Sequence, residues 1–211
     1  MRVVIFVNGE FHEPQRVRDV LQPEDYIIAV NGGTRHALSI GVLPQAIIGD
    51  LDSFTPKEQA RIHPDKTMIL RFPARKDKTD LELALRHALD KNATTILLLA
   101  ALGGRLDQSM GNVFLLTLPE LHGIDVKILE GRHTAFLIRD HAEITGQPGD
   151  TVSILPIGGD AVGVANHGLE WPLHDATLPL GSTRGISNVM LEGRASISVQ
   201  TGMLLCVVTH L

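Results

Sequence analysis

The chain has 211 residues, 44% of them hydrophobic, and a formal net charge of -5. That is enough apolar material for one large core or two small ones, and the scattered Lys and Arg residues form no basic block. Nucleic acid is therefore not the expected partner, whereas a small cation or a metal-bound anion is.

The amino-terminal run VVIFV is too short for the core of a signal peptide and meets polar turn residues at once, so it reads as a first strand. Further short apolar runs follow up to about Glu130: YIIAV, AIIG, TMILRF, TILLLAA and VKIL, each trailed by Gly or Asp. Runs that are continuous rather than alternating suit strands covered on both faces, as in a mostly parallel sheet flanked by helices. The expected first domain, residues 1–132, is thus a Rossmann-like α/β layer structure. One helix is expected over Asp80–Leu89, where Leu81, Ala84, Leu85, Ala88 and Leu89 share a face and Thr79 with Glu82 offers a T-x-x-E capping box. A second is expected from Gln108 to Leu118, ended by Pro119.

After about Arg139 the runs become shorter and richer in β-branched residues: AEIT, DTVSILPI, AVGVANHG, LEWPL, ASISVQ and MLLCVVTH. Turn-forming segments separate them, which predicts a smaller all-β sandwich over residues 133–211. Cys206, the sole cysteine, lies in the last run; an intrachain disulfide is excluded and the residue reads as a small hydrophobe. Trp171 is expected to pack between sheets. The longest apolar stretch, Ile96–Leu102, is about a third of the ~20 residues a membrane helix needs. A soluble, cytoplasmic protein without membrane association is expected.

Three charged clusters fall where strands of the first domain should end, the edge at which open α/β sheets place ligands. GDLDS carries Asp50 and Asp52; RKDKTDLE carries Asp77 and Asp80 on either side of Lys78; LGGRLDQ carries Gly103, Gly104, Arg105, Asp107 and Gln108. Two carboxylates one residue apart at the end of a buried segment repel unless a cation or donors compensate. Mg²⁺ takes one or two carboxylates plus water and phosphates, so Asp50, Asp52 and Asp80 are candidate anchors. Gly103 and Gly104 allow backbone close to a phosphate, and Arg105 offers a planar fork for its oxygens. The competing reading of each acid is a turn or helix cap, and of Asp80 a favourable first-turn charge. Convergence of three clusters on successive strand ends favours phosphoryl-type chemistry. No G-x-x-x-x-G-K-[ST] is present, the ten histidines show no H-E-x-x-H spacing, and Ser53, Ser182 and Ser187 lack a G-x-S-x-G context.

The succession NGE, LPQAIIGDLDSF, KDKTDLELAL, LGGRLDQSMGN, GLEWPL and STRGISN resembles the thiamine pyrophosphokinase (thiamine diphosphokinase) family across nearly the whole chain. The resemblance implies an ATP-binding α/β domain, a thiamine-binding β-sandwich and a homodimer with active sites between subunits. It implies transfer of a diphosphoryl group from ATP to the hydroxyl of thiamine, with Mg²⁺ and release of AMP. By matching motif, Asp50, Asp52 and Asp80 would hold the magnesium; Asn31, Gly32, Gly103, Gly104, Arg105 and Gln108 would contact nucleotide. Asp107 would assist catalysis beside Arg105, and Asp77, Thr79, Gln108, Ser182, Gly185, Ser187 and Asn188 would serve the acceptor. Asp52, Asp80 and Asp107 all stay open as the proton acceptor. The chain departs from the family pattern at AVNGGT, where Asn31 replaces the aspartate of D-G-G, and less seriously at Leu51 and Gln45. A pyrophosphokinase or phosphotransferase with another alcohol acceptor, and a non-catalytic nucleotide-binding module, are the alternatives.

Overall fold

A computed structural model describes residues 1–52 and 54–211; Ser53 lies outside the described residues. The chain divides into two compact units, Met1–Gly131 and Arg132–Leu211.

In the first unit the elements run β1 (Arg2–Phe6), α1 (Pro14–Val20), β2 (Tyr26–Val30), α2 (Gly33–Ser39), β3 (Ala46–Gly49), α3 (Pro56–Gln59), β4 (Met68–Arg71), α4 (Asp80–Asp90), β5 (Thr95–Leu99), α5 (Leu106–Leu115) and β6 (Asp125–Glu130). The strands stand in the order β6-β5-β1-β2-β3-β4, and every neighbouring pair is parallel. Parallel pairing needs crossovers, which the intervening helices supply. The chain first winds outward from β1 to β4, then returns to the other side of β1 with β5. Because all six strands point the same way, the loops leaving β5, β1, β2 and β3 emerge side by side on one edge, across the point where the winding reverses. All of β3 and four residues each of β1, β2 and β5 are buried, as their continuous apolar runs require. β4 is mostly exposed and closes the sheet as an edge strand.

The helix α4 forms as its periodicity predicts and buries Leu81, Ala84, Leu85 and Ala88. Thr79 caps it by accepting from the Glu82 N–H at 3.2 Å. The reciprocal half of the expected box is replaced by ion pairs of Glu82 with Lys78 and Arg86. A complete capping box occurs instead at α3, between Thr55 and Glu58. α5 begins two residues before the expected start, at Leu106, and ends at Leu115; Pro119 opens a short 3-10 turn rather than terminating the helix directly.

The second unit contains β7 (His133–Ile138), β8 (His141–Thr145), β9 (Thr151–Pro156), β10 (Ala161–His167), β11 (Ala176–Leu178), β12 (Asn188–Val189), β13 (Arg194–Ser198) and β14 (Leu204–Thr209). Two antiparallel layers result, β12-β9-β14-β7 and β11-β10-β13-β8. Alternate residues such as Val152, Ile154, Leu204, Cys206 and Val208 of the first layer and Ile144, Val164, Ala195 and Ile197 of the second fill one apolar core. That is the sandwich logic of inward and outward alternation. LEWPL does not form a strand: Pro172 lacks an N–H to donate, and Leu169 pairs with Met190 as an isolated bridge. Among the described residues no helix is long and apolar enough to cross a membrane.

Candidate active site

A cleft of about 700 Å³ opens at the carboxyl edge of the first unit's sheet. Loops from four adjacent strands line it: Asn8, Gly9 and Glu10 after β1, Asn31 after β2, Asp50 after β3, and Ala101, Gly103, Gly104 and Arg105 after β5. Thr79 and Asp80 at the start of α4, and Gln108 and Asn112 on α5, complete it. The amino-terminal ends of both helices therefore meet the cleft, a favourable setting for an anion.

The loops after β1 and β5 are tied together. Gly9 N–H donates to the Ala100 carbonyl and Glu10 N–H to that of Leu102, both at 2.8 Å. A Cβ on Gly9 would strike these carbonyls, so the close approach requires glycine. Gly103 and Gly104 both have positive φ, 89° and 68°, a turn open to glycine at little steric cost. The Glu10 carboxylate accepts from Gly104 N–H at 3.1 Å and meets His12 Nε2 at 3.1 Å. These two contacts, His12 first, hold its pKa below the ordinary value.

Arg105 and Asp107 form a two-pronged pair, with Nε 3.1 Å from Oδ1. Each shifts the other toward its charged form through this hydrogen bonding. Both side chains are largely exposed, so the pair is weakly held and exchangeable for another anion. Asp80 is engaged on both oxygens: Lys76 Nζ lies 2.8 Å from Oδ1, and Asn31 Nδ2 donates to Oδ2 at 2.7 Å. Asp50 Oδ1 accepts from Asp52 N–H at 3.3 Å.

The structure thus brings Asn31, Asp50, Thr79, Asp80, Gly103, Gly104, Arg105 and Gln108 to one cleft. Asp52 and Asp77 are exposed and do not line it. Asp107 is held at its rim through Arg105, and Gly32 is buried behind Asn31 against the Asn8 side chain. Asn8, Glu10 and Asn112 also belong to the lining; they lie in the NGE and LGGRLDQSMGN stretches that carry the family resemblance, although no site role attaches to them from sequence. Among the described residues no three Asp, Glu, His or Cys side chains converge as a self-sufficient metal cage.

The second unit has its own pocket of about 530 Å³. Val152, Ile154, Leu169, Leu173 and Ile197 give it apolar walls, and Gly185, Ser187 and Asn188 line it as well. Asn188 accepts from Trp171 N–H at 2.9 Å and donates to its carbonyl at 2.7 Å, fixing the Trp171 backbone. Trp171 is 56% exposed and lines the pocket, contrary to the expectation that it packs between sheets. The proline beside it prevents a strand from carrying the ring inward. Ser182 sits in a neighbouring turn, accepting from Arg184 N–H, and does not line the pocket.

Residues 17–128 match the family description "Thiamin pyrophosphokinase, catalytic domain", and residues 140–204 match "Thiamin pyrophosphokinase, vitamin B1 binding domain". A thiamine pyrophosphokinase of Bacillus subtilis (strain 168) is 31% identical over 182 residues, 85% of either chain. The chain belongs to the thiamine pyrophosphokinase family. A crystal structure of a family member from Bacillus subtilis superimposes with a TM-score of 0.89 at 27% identity, covering 100% of this chain and 99% of that one. The yeast thiamin pyrophosphokinase shares the fold at 18% identity, with a TM-score of 0.76 over 100% of this chain and 86% of that one. The thiamine pyrophosphokinase family thus accounts for both units, since its two domain descriptions fall one on each.

Proposed function

We propose that the protein is a thiamine diphosphokinase, moving the β,γ-diphosphoryl group of ATP to the hydroxyl of thiamine and releasing AMP. The observation that carries this reading is the gathering of Asp50, Asp80, the Gly103-Gly104 turn and Arg105 on one sheet edge in a chain of this family. The Gly103-Gly104 turn and the helix ends suit the phosphates, and Arg105 exchanges Asp107 for phosphate oxygens, to which its fork is equally matched. Gln108, Asn31 and Thr79 line the same cleft.

The lining sets Glu10, Asp50 and Asp80 against the guanidinium of Arg105. A polyphosphate entering that field needs an added cation. An all-oxygen set of one or two carboxylates, completed by phosphate and water, fits Mg²⁺. Asp50 and Asp80, which line the cleft, would hold it, and the ion would supply neutralisation of charge on the phosphate oxygens. The chain's own contribution is alignment and electrostatics: a weakly nucleophilic hydroxyl is held in line with the β-phosphorus while Arg105 stabilises the departing charge.

The pocket of the second unit is the thiamine subsite in this reading. Its apolar walls and the exposed Trp171 face suit a flat heteroaromatic cation. The protein works in the cytoplasm as a homodimer with active sites between subunits, so sedimentation should give twice the 22.9 kDa chain mass. The deciding experiment incubates purified protein with ATP, Mg²⁺ and thiamine and follows AMP and thiamine diphosphate. Equal yields are expected, whereas AMP formation only with another alcohol, or nucleotide binding without product, would overturn the assignment.

A further inference from the structure

Asn31, where the chain breaks the D-G-G pattern, has both ends of its amide committed inside the cleft. It follows β2 in a left-handed conformation, φ 46°, which asparagine tolerates better than most residues. Its backbone is anchored: the N–H donates to the Ile48 carbonyl at 3.0 Å and its carbonyl accepts from Thr34 N–H at 3.1 Å. From that fixed point Oδ1 accepts from Leu51 N–H at 3.2 Å and Nδ2 donates to Asp80 Oδ2 at 2.7 Å. The amide also fills the space over Gly49, where a Cβ would collide with it. Its orientation is dictated by chemistry, since a backbone N–H requires the oxygen end and a carboxylate requires the nitrogen end.

We propose that Asn31 is the positioning residue of the site, doing with one N–H at Asp80 what a cation would do there. It ties the Gly49–Asp52 loop to the first residue of α4, so that Asp50 and Asp80 are presented to the cleft together. An aspartate at 31 keeps the contact to Leu51 but sets two carboxylates at hydrogen-bond distance, where like charges persist only with a cation between them. Lys76 already serves the other oxygen of Asp80 and cannot fill that gap without leaving it. The proposal rests on the nucleotide-cleft reading, and a readout that needs no substrate separates the two.

Asn31→Asp and Asn31→Ala test it, with Mn²⁺ as the probe in thermal denaturation without nucleotide. Asn31→Asp should gain a saturable Mn²⁺ stabilisation with a midpoint about 10- to 100-fold below that of the parent, and Asn31→Ala should not. In the thiamine assay Asn31→Ala should lose about 10- to 100-fold in kcat, with thiamine KM changed less than about twofold, because the acids it orients are displaced while the second pocket is untouched. Asn31→Asp that folds only with Mn²⁺ present also supports the proposal. Coincident Mn²⁺ curves for parent and Asn31→Asp, or an Asn31→Ala that keeps parental kcat and merely melts earlier, overturn it. Absence of Mg·ATP binding by the parent would overturn the nucleotide reading alone and leave the Mn²⁺ comparison decisive for Asn31.

Discussion

Asp50 bears on function more cleanly than any other acid of the cleft, because among the described residues its side chain accepts one hydrogen bond, from the Asp52 N–H at 3.3 Å. Asp50→Asn preserves shape and hydrogen bonding while removing charge, so folding should be unaffected and kcat should fall on the order of 100-fold. Steady-state kinetics alongside thermal melts distinguish this from a turn-capping role, in which melting temperature falls and turnover persists. The residue types of the site were legible in the sequence because aspartates and glycines cluster at strand ends for few reasons. Their pairing was not legible: nothing in RLDQ says that Arg105 would grip Asp107, or that Glu10 would reach the Gly104 N–H across 94 positions. Such contacts depend on which loops become neighbours.

The helix α4 binds stability and function into one element. Thr79 caps it and Asp80 is its first residue, so the cap also aims the acid. Thr79→Ala should cost about 1 kcal/mol in denaturant unfolding and should reduce turnover as well, whereas Thr55→Ala, at the fully formed box of α3, should cost a similar amount with turnover intact. Elements with an unbroken pattern were readable: six apolar runs became six parallel strands, and the 3.6-residue spacing gave α4. Two were not. β7 begins with His133 and Thr134 directly after a glycine turn and looks polar at its start, and LEWPL looks apolar enough for a strand until Pro172 is considered.

For the whole molecule, pH acts through Glu130 at the end of β6. Burial, its main influence, raises its pKa from the ordinary 4.5 to about 6, with His12 opposing and Glu10 adding to the effect. Among the described residues its buried Oε2 has no hydrogen-bond partner. A raised carboxyl pKa means that the stability contributed by the protonated form is fully present below 4.5 and is lost as pH rises through 6. Glu130→Gln should therefore melt no higher than the parent at pH 4 and higher at pH 7, the difference growing between about 4.5 and 6. A constant difference across that range would place the effect elsewhere.

Cys206 and Trp171 each occur once in the chain, and they occupy opposite environments. The Cys206 side chain is wholly buried in the sandwich core, its thiol pushed up to about 12 by that burial, while the Trp171 indole lies open at the pocket. An alkylating reagent thus clocks the opening of the sandwich, and indole emission reports what enters the pocket. The protein comes with two intrinsic, non-overlapping reporters, and no label need be engineered to follow folding and ligand capture in the same cuvette.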